Sequence, residues 1–293
     1  MTTSTNSGKH REQIMHIVFT LSALTAIVAV GLICVFLFAG GVPAMLEIGV
    51  LKFLLGKDWS PTDTPASFEI FPMIIASIYV TTGAILFGVP IGIFTAAFMA
   101  KICPKRLYAF LKPTISLLAG IPSVVYGFFG MVVLVPLVRT WFGGNGSSML
   151  TASLLLGIMI LPTVIGIAET SLRAVPEELY EGAVALGASH ERAVFFIVIP
   201  AAKSGVMAAV VLGIGRAIGE TMAVKMVAGN QALLRMPKEF LKGLRTLTAN
   251  VVIEMGYAEG LHRDALVATG VVLFVFILLI NLVFSLLNRR SAL

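Results

Sequence analysis

Two charged residues stand inside an otherwise apolar stretch, Gly213-Ile-Gly-Arg216-Ala-Ile-Gly-Glu220-Thr221-Met-Ala-Val-Lys225. Charges at membrane depth are expensive and by default mark a pathway or a pair. Glu220 follows Arg216 by four residues, so on a continuous helix the two share a face. Arginine suits a tetrahedral oxyanion, because its fork offers paired donors at fixed charge. The acid would then hold the fork and offset its charge between substrates. A structural pair that only fixes helix packing fits the same spacing. Thr221 belongs to this run, while Lys225 lies near its end and can snorkel. Ser123 and Tyr126, just after Pro122, offer hydroxyls either to a passing anion or to a neighbouring helix.

A second constellation runs Arg173-Ala-Val-Pro-Glu-Glu-Leu-Tyr-Glu-Gly-Ala-Val-Ala-Leu-Gly187. Pro176 suits a first helical turn and Glu177 and Glu178 suit the positive end of the dipole. Leu179, Ala183 and Leu186 fall on one face. Gly187 is a natural stop, and Ser189 can cap a second helix with Glu191 in its first turn. The pattern predicts a helix, a glycine turn and a new helix, a projection built to dock.

Both constellations require a membrane around them. Of 293 residues, 58% are hydrophobic and 12% charged, against about 25% charged in soluble domains; mean hydropathy is +0.98. Six runs are long enough to span about 30 Å of hydrocarbon: roughly 17–39, 71–100, 113–138, 150–168, 204–228 and 265–288. In the fifth, Arg216 lies about 12 residues from the start, or about 18 Å, near the midplane. Lys9 and Arg11, the group Lys101, Lys105, Arg106 and Lys112, and Arg289 and Arg290 all fall on one side. The positive-inside rule then places both termini and the docking loop in the cytoplasm. The loop between spans one and two carries Glu47, Asp58, Asp63 and Glu69 against Lys52 and Lys57, which suits the outside. The loop between spans five and six is the exception, with Arg235, Lys238, Lys242, Arg245 and Arg263. Gly88/Gly92 and Gly215/Gly219 are spaced for close helix approach within the chain.

The expected organisation is a disordered tail over 1–13, a first span with an external segment over 14–70, and a membrane core over 71–290, with the docking loop at about 173–200. No cleavable signal is expected, because the first apolar run is too long for one. Cys34 and Cys103 predict no disulfide. The net charge of +6 flanks the spans, so it argues for membrane lipid and against nucleic acid. His10, His16, His190 and His262 lack ligand spacing, so no metal site is expected.

The run Glu181-Gly182-Ala183, three residues, Gly187, nine residues, Ile197-Val198-Ile199-Pro200 resembles the EAA signature of importer-type ABC permeases, with Gly182 and Ile199 departing from it. The resemblance implies a type I ABC importer permease architecture, all-α with six transmembrane helices. It also implies a loop that inserts into an ATPase subunit, with Tyr180, Glu181, Gly182, Ala183, Leu186 and Gly187 at the contact. The chain has no G-x-x-x-x-G-K-[ST] loop, so ATP and Mg would belong to partner subunits and this chain would not be an enzyme.

The run around Arg216 and Glu220 is similar to phosphate permeases of the PstC type. So are Leu118–Gly130, Ile160–Pro176 and Phe53–Pro61, and the resemblance covers about 45–290. It implies a multi-pass subunit of the bacterial inner membrane that forms half of a phosphate pathway, with Arg216, Glu220, Thr221 and Ser123 along it. The implied partners are a second homologous permease, an ATPase dimer, a soluble phosphate-binding protein and a phosphate-signalling regulator. Sulfate, molybdate or phosphonate would suit the same architecture. A secondary transporter or channel would work without the ATPase, and a membrane sensor is a further alternative.

Overall fold

The computed structural model describes the backbone of residues 6–290, with side chains described for 12–283 and 286. The chain is helical almost throughout. Helix α1 spans Asn6–Ile48 and α2 spans Val50–Leu55; β1 (Trp59–Ser60) and β2 (Ser67–Phe68) form a short antiparallel hairpin. Then follow α3 (Phe71–Ala97), α4 (Lys105–Gly120), α5 (Ser123–Phe129), α6 (Val135–Phe142) and α7 (Met149–Arg173). The remainder is α8 (Glu177–Ala185), α9 (His190–Ala193), α10 (Ile199–Ala201), α11 (Lys203–Gly219), α12 (Met222–Val227), α13 (Leu247–Glu254) and α14 (Gly260–Arg290).

Among the described residues, five helical stretches are long and apolar enough to span: 12–48, 71–102, 123–142, 149–173 and 260–283. A sixth arises if the pair His190–Ala201 and Lys203–Gly219, bent by 75°, counts as one span. Five of the six expected spans are therefore present, and the expected fifth corresponds to Lys203–Gly219, which qualifies only when joined to the bent His190–Ala201; two of the bounds differ. The third begins at Ser123 rather than near Pro113, because Ile121 and Pro122 adopt extended backbone and separate α4 from α5. The fifth ends at Gly219 rather than continuing to Ala228. Residues 1–5 of the expected disordered tail lie outside the described residues. The helix already begins at Asn6, so 6–13 continue it.

Three π-helical segments, Phe98–Ile102, Gly130–Leu134 and Val194–Val198, each end two residues before a proline (Pro104, Pro136, Pro200). Proline lacks the N–H and its ring crowds the carbonyl four residues back, so the ladder widens there.

The core is a parallel pair, α3 and α7. On α3, Ala76, Val80, Ala84, Gly88, Gly92 and Ala96 recur every four residues and are buried. They form one inclined ridge of small side chains against Leu155, Met159, Ile160 and Val164 of α7. A Cβ on Gly88 would come within 2.7 Å of the Gly157 carbonyl. In lipid such close approach supplies the van der Waals contact that holds helices together. The Gly215/Gly219 pair behaves differently, since a Cβ on either meets nothing within 4 Å.

Helix α11 packs antiparallel on α7, with Gly213 against Val164 and Gly205 against Ser171. Helix α1 runs antiparallel to α14, joined where Gly41 meets Ala268 and Val271 and Phe38 meets Phe274 edge-on at 6.0 Å. Most of its length from Glu12 to Phe38 is exposed apolar surface, as lipid contact requires. At the hairpin end, Trp59 donates to Glu254 at 2.9 Å, and Glu254 also holds Arg245 (2.5 Å) and His262 (2.8 Å). This buried cluster pins the hairpin to α13 and α14.

Candidate functional site

Two helix breaks define the site. Helix α11 stops at Gly219, and Glu220 (φ −73°, ψ 122°) and Thr221 leave the helix before α12 starts. The second break is Ile121–Pro122, before α5. The segments that follow the breaks pack on each other, with Gly127 of α5 against Ala223 and Met226 of α12.

Arg216 sits in the last turn of α11, half-buried, and its Nη1 donates to Thr163 Oγ1 of α7 at 2.9 Å. Thr163 is 14 residues from the start of α7 and 10 from its end, or about 21 and 15 Å. That is near the middle of α7. The shared helix face with Glu220 is not formed, because Glu220 lies in the break. Its Oε1 accepts from Ala223 N at 3.4 Å, capping α12, and its carbonyl accepts from Thr248 Oγ1 of α13 at 3.4 Å. Among the described residues Arg216 makes no ion pair. Thr221 donates to the Gly219 carbonyl at 3.2 Å. Ser123 opens α5 at the other break; one turn later the Tyr126 hydroxyl donates to the Leu118 carbonyl at 2.9 Å and lies within electrostatic reach of Arg216. The arrangement is a guanidinium whose side-chain partner is a neutral hydroxyl, next to the Glu220–Thr221 break.

The helix, glycine turn and new helix form as the spacing predicts. Gly187 takes φ +88°, a left-handed turn that glycine adopts at least cost. Leu186 N bonds back to Gly182 O, Gly187 N to Val184 O and Ala188 N to Ala183 O. Ser189 accepts from Arg192 N. The Glu191 carboxyl is held below its ordinary range by its own backbone N–H and then by the Ser189 hydroxyl. Glu181, Gly182 and Gly187 are exposed, and Ala183 and Tyr180 are half-buried. Leu186 is 92% exposed at the tip. Tyr180 meets His190 across the turn and bonds it.

Sequence reasoning passed over the anchor of this loop. Glu169 of α7, 1% exposed, accepts from Tyr108 (2.8 Å) and Lys112 of α4 and from Arg173 Nε (2.6 Å). Arg173 Nη2 also donates to the Met99 carbonyl at 2.7 Å, and Lys101 pairs with Glu177 of α8 at 2.5 Å. The signal was available: one acid closing an apolar span, opposite a basic segment without acids. Thr163 carried no comparable signal. No group of metal-ligating side chains occurs among the described residues.

A family described as binding-protein-dependent transport system inner membrane component matches residues 88–292. The chain is 39% identical over 273 residues to the probable ABC transporter permease protein YqgH of Bacillus subtilis, covering 90% of this chain and 88% of the relative. It is 33% identical to the phosphate transport system permease protein PstC of Mesorhizobium japonicum, covering 92% of this chain and 87% of that one. In fold it matches the methionine ABC transporter MetNI in an inward-facing conformation, with TM-score 0.57, 18% identity and coverage of 76% and 94%. It also matches a bacterial ABC transporter that imports alginate, with TM-score 0.57, 16% identity and coverage of 95% and 99%. The spans, the projecting loop and these likenesses identify a type I importer permease of the inner membrane, with ATP hydrolysis on a separate subunit, and the chain belongs to the binding-protein-dependent transport system inner membrane component family.

Proposed function

We propose that this chain forms half of the pathway of an inorganic phosphate importer. The observation that carries the reading is Arg216, a guanidinium at mid-depth whose protein partner is a neutral threonine hydroxyl. An intramembrane cation without a carboxylate calls for an anion, and paired donors at fixed charge suit a tetrahedral one. The PstC relatives support phosphate among the oxyanions. A soluble binding protein delivers the ion outside, ATP closes a dimer of ATPase subunits that hold ATP and Mg, and the loop at Leu186 passes that closure to the spans. A second, homologous permease supplies the other half, and a phosphate-signalling regulator reads the complex. Both termini lie in the cytoplasm with the loop.

Glu220 acts here as the cap that keeps the α11–α12 break open beside Arg216. Thr221 and Ser123 line the two breaks with hydroxyls.

The test is labelled phosphate uptake into vesicles carrying the complete transporter, comparing wild type with Arg216→Gln while ATP hydrolysis is recorded. The expected result is import by wild type and hydrolysis without import by the variant. Normal import by the variant would make the arginine structural. Active hydrolysis without phosphate import in wild type would redirect the search to other oxyanions.

A further inference from the structure

The segment between α12 and α14 carries basic residues on the side where topology disfavours them, including Arg235, Lys242 and Arg245. Burial with Glu254 accounts for Arg245. Arg235 has no such explanation. Its Nε donates to the Gly243 carbonyl at 3.2 Å and its Nη2 to Gln231, both neutral acceptors. Among the described residues no carboxylate forms an ion pair with it.

Arg235 and Lys242 line a cavity of about 570 Å³ whose wall also includes Asn145, Ser147 and Gln231 and no acidic residue. Lys242 pairs with Glu239 at 2.6 Å but remains 57% exposed; Glu239 lies outside the wall and also feels Arg235, so two cations stand against one acid and leave a net positive cleft. Leu241, Gly243, Gly144 and Gly229 complete the lining, the last two with φ of +71° and +80°, backbone of the kind that forms anion-accepting concavities of N–H groups. A cleft lined by one sign of charge concentrates the opposite ion. The cavity is roomy for a bare tetrahedral oxyanion, so its ligand keeps bridging water.

Its position ties it to Arg216. Ser148 N bonds to Val227 O at 3.1 Å, joining the start of α7 to the end of α12 beside the cavity. Helix α7 leads inward to Thr163, about 21 Å deeper, and α12 leads back through the Glu220–Thr221 break to α11, whose Arg216 bonds Thr163.

We infer that this cavity is an outer oxyanion site, which takes inorganic phosphate while still hydrated and holds it at the outer mouth before it reaches Arg216. The inference rests on the importer reading above, and binding can be measured apart from import.

The experiment is equilibrium binding of labelled inorganic phosphate to the complete transporter in lipid nanodiscs. Wild type is compared with Arg235→Gln/Lys242→Gln, Lys242→Gln and Arg216→Gln, and ATP hydrolysis is recorded in each. The double variant is expected to weaken one class of phosphate site about tenfold or more, the loss of charge-assisted hydrogen bonds, while the class sensitive to Arg216→Gln and the hydrolysis rate persist. Wild-type binding in the double variant overturns the inference. So does retained phosphate binding with lost stimulation by the soluble binding protein, which would make the cavity a protein-docking surface. Should the arginine variant fail to assemble, Lys242→Gln decides alone: weaker binding supports the site and unchanged binding overturns it. A wild type that binds phosphate in both classes yet imports none would sink the importer reading and leave the outer site standing.

Discussion

Arg216 and Thr163 meet near the middle of α7, the guanidinium of α11 donating to the hydroxyl of α7 at 2.9 Å. The threonine orients the fork without neutralising it. Thr163→Val keeps the shape and the charge and removes the acceptor. Hydrogen bonds to charged groups contribute about 1.5–3 kcal/mol, so the expected result is about a tenfold or greater fall in transport, with assembly and ATP hydrolysis near wild type. Labelled uptake set against hydrolysis checks it; unchanged uptake would mean the hydroxyl does not position Arg216.

Glu220 gives a prediction of opposite sense to simple pairing. Its carboxylate caps α12 through Ala223 N, so Glu220→Gln, which keeps an acceptor oxygen, should retain most transport. Glu220→Ala removes the cap, at about 1 kcal/mol, and should lose both transport and thermal stability. If instead Arg216→Gln/Glu220→Gln transports better than Arg216→Gln alone, the two residues act as a charge pair.

The break that separates these residues marks the limit of what the sequence discloses. Apolar runs locate spans because lipid demands them, and the α3 and α7 spans appear within a few residues of their expected places. Hydropathy does not register a break, since Gly219 and Ile121 are as compatible with lipid as any helical residue. The four-residue spacing of Arg216 and Glu220 therefore implied a shared face that the chain does not form. The docking loop was legible because its signals are local: a proline, paired acids, a glycine stop and a serine cap. The Glu169 anchor has one local bond, to Arg173 at the fourth following position, while its partners Lys112 and Tyr108 lie 57 and 61 positions away, so only their basic, acid-free segment hinted at the link.

Two identical glycine spacings separate cleanly by contact. A Cβ on Gly88 meets the Gly157 backbone at 2.7 Å, whereas one on Gly215 meets nothing within 4 Å. Gly88→Ala is expected to destabilise the α3–α7 pair by about 1–3 kcal/mol. Gly215→Ala is expected to be neutral or to gain up to about 1 kcal/mol from helix propensity. Thermal unfolding of the purified complex distinguishes them, and equal losses would contradict the packing described.

Glu169 is buried under Lys112, Arg173 and Tyr108. Removing Glu169 leaves Lys112 and Arg173, which are 39% and 43% exposed and can turn to water, so the cost falls below the roughly 3–5 kcal/mol of a fully buried pair. Glu169→Ala should lower the unfolding temperature clearly and release α4 from α7. Glu177→Gln, by contrast, removes the charge of the 58% exposed partner of Lys101 and keeps an acceptor oxygen, a change worth about 0–1 kcal/mol, and should leave stability almost unchanged. Equal stability of wild type and Glu169→Ala would show that the cluster is not holding the two helices.

Leu186 supplies the cleanest separation of docking from folding. It is 92% exposed and follows α8 at the turn, so replacing it removes almost no contact within the chain. An exposed leucine at the tip of a rigid turn is stabilising only when a partner covers it, and covering a leucine is worth about 1.5–3 kcal/mol. Leu186→Asp replaces that gain with the cost of burying a charge. The expected outcome is an intact permease that inserts, unfolds at the wild-type temperature and fails to retain the ATPase subunits on purification. Gly187→Ala is milder: a non-glycine residue at φ +88° costs about 1–2 kcal/mol, so it should distort the turn and lower the ratio of transport to hydrolysis without dispersing the complex. If Leu186→Asp still co-purifies with full ATPase occupancy and drives import, the tip is not the docking element, and the exposed face of α8 carries the contact instead.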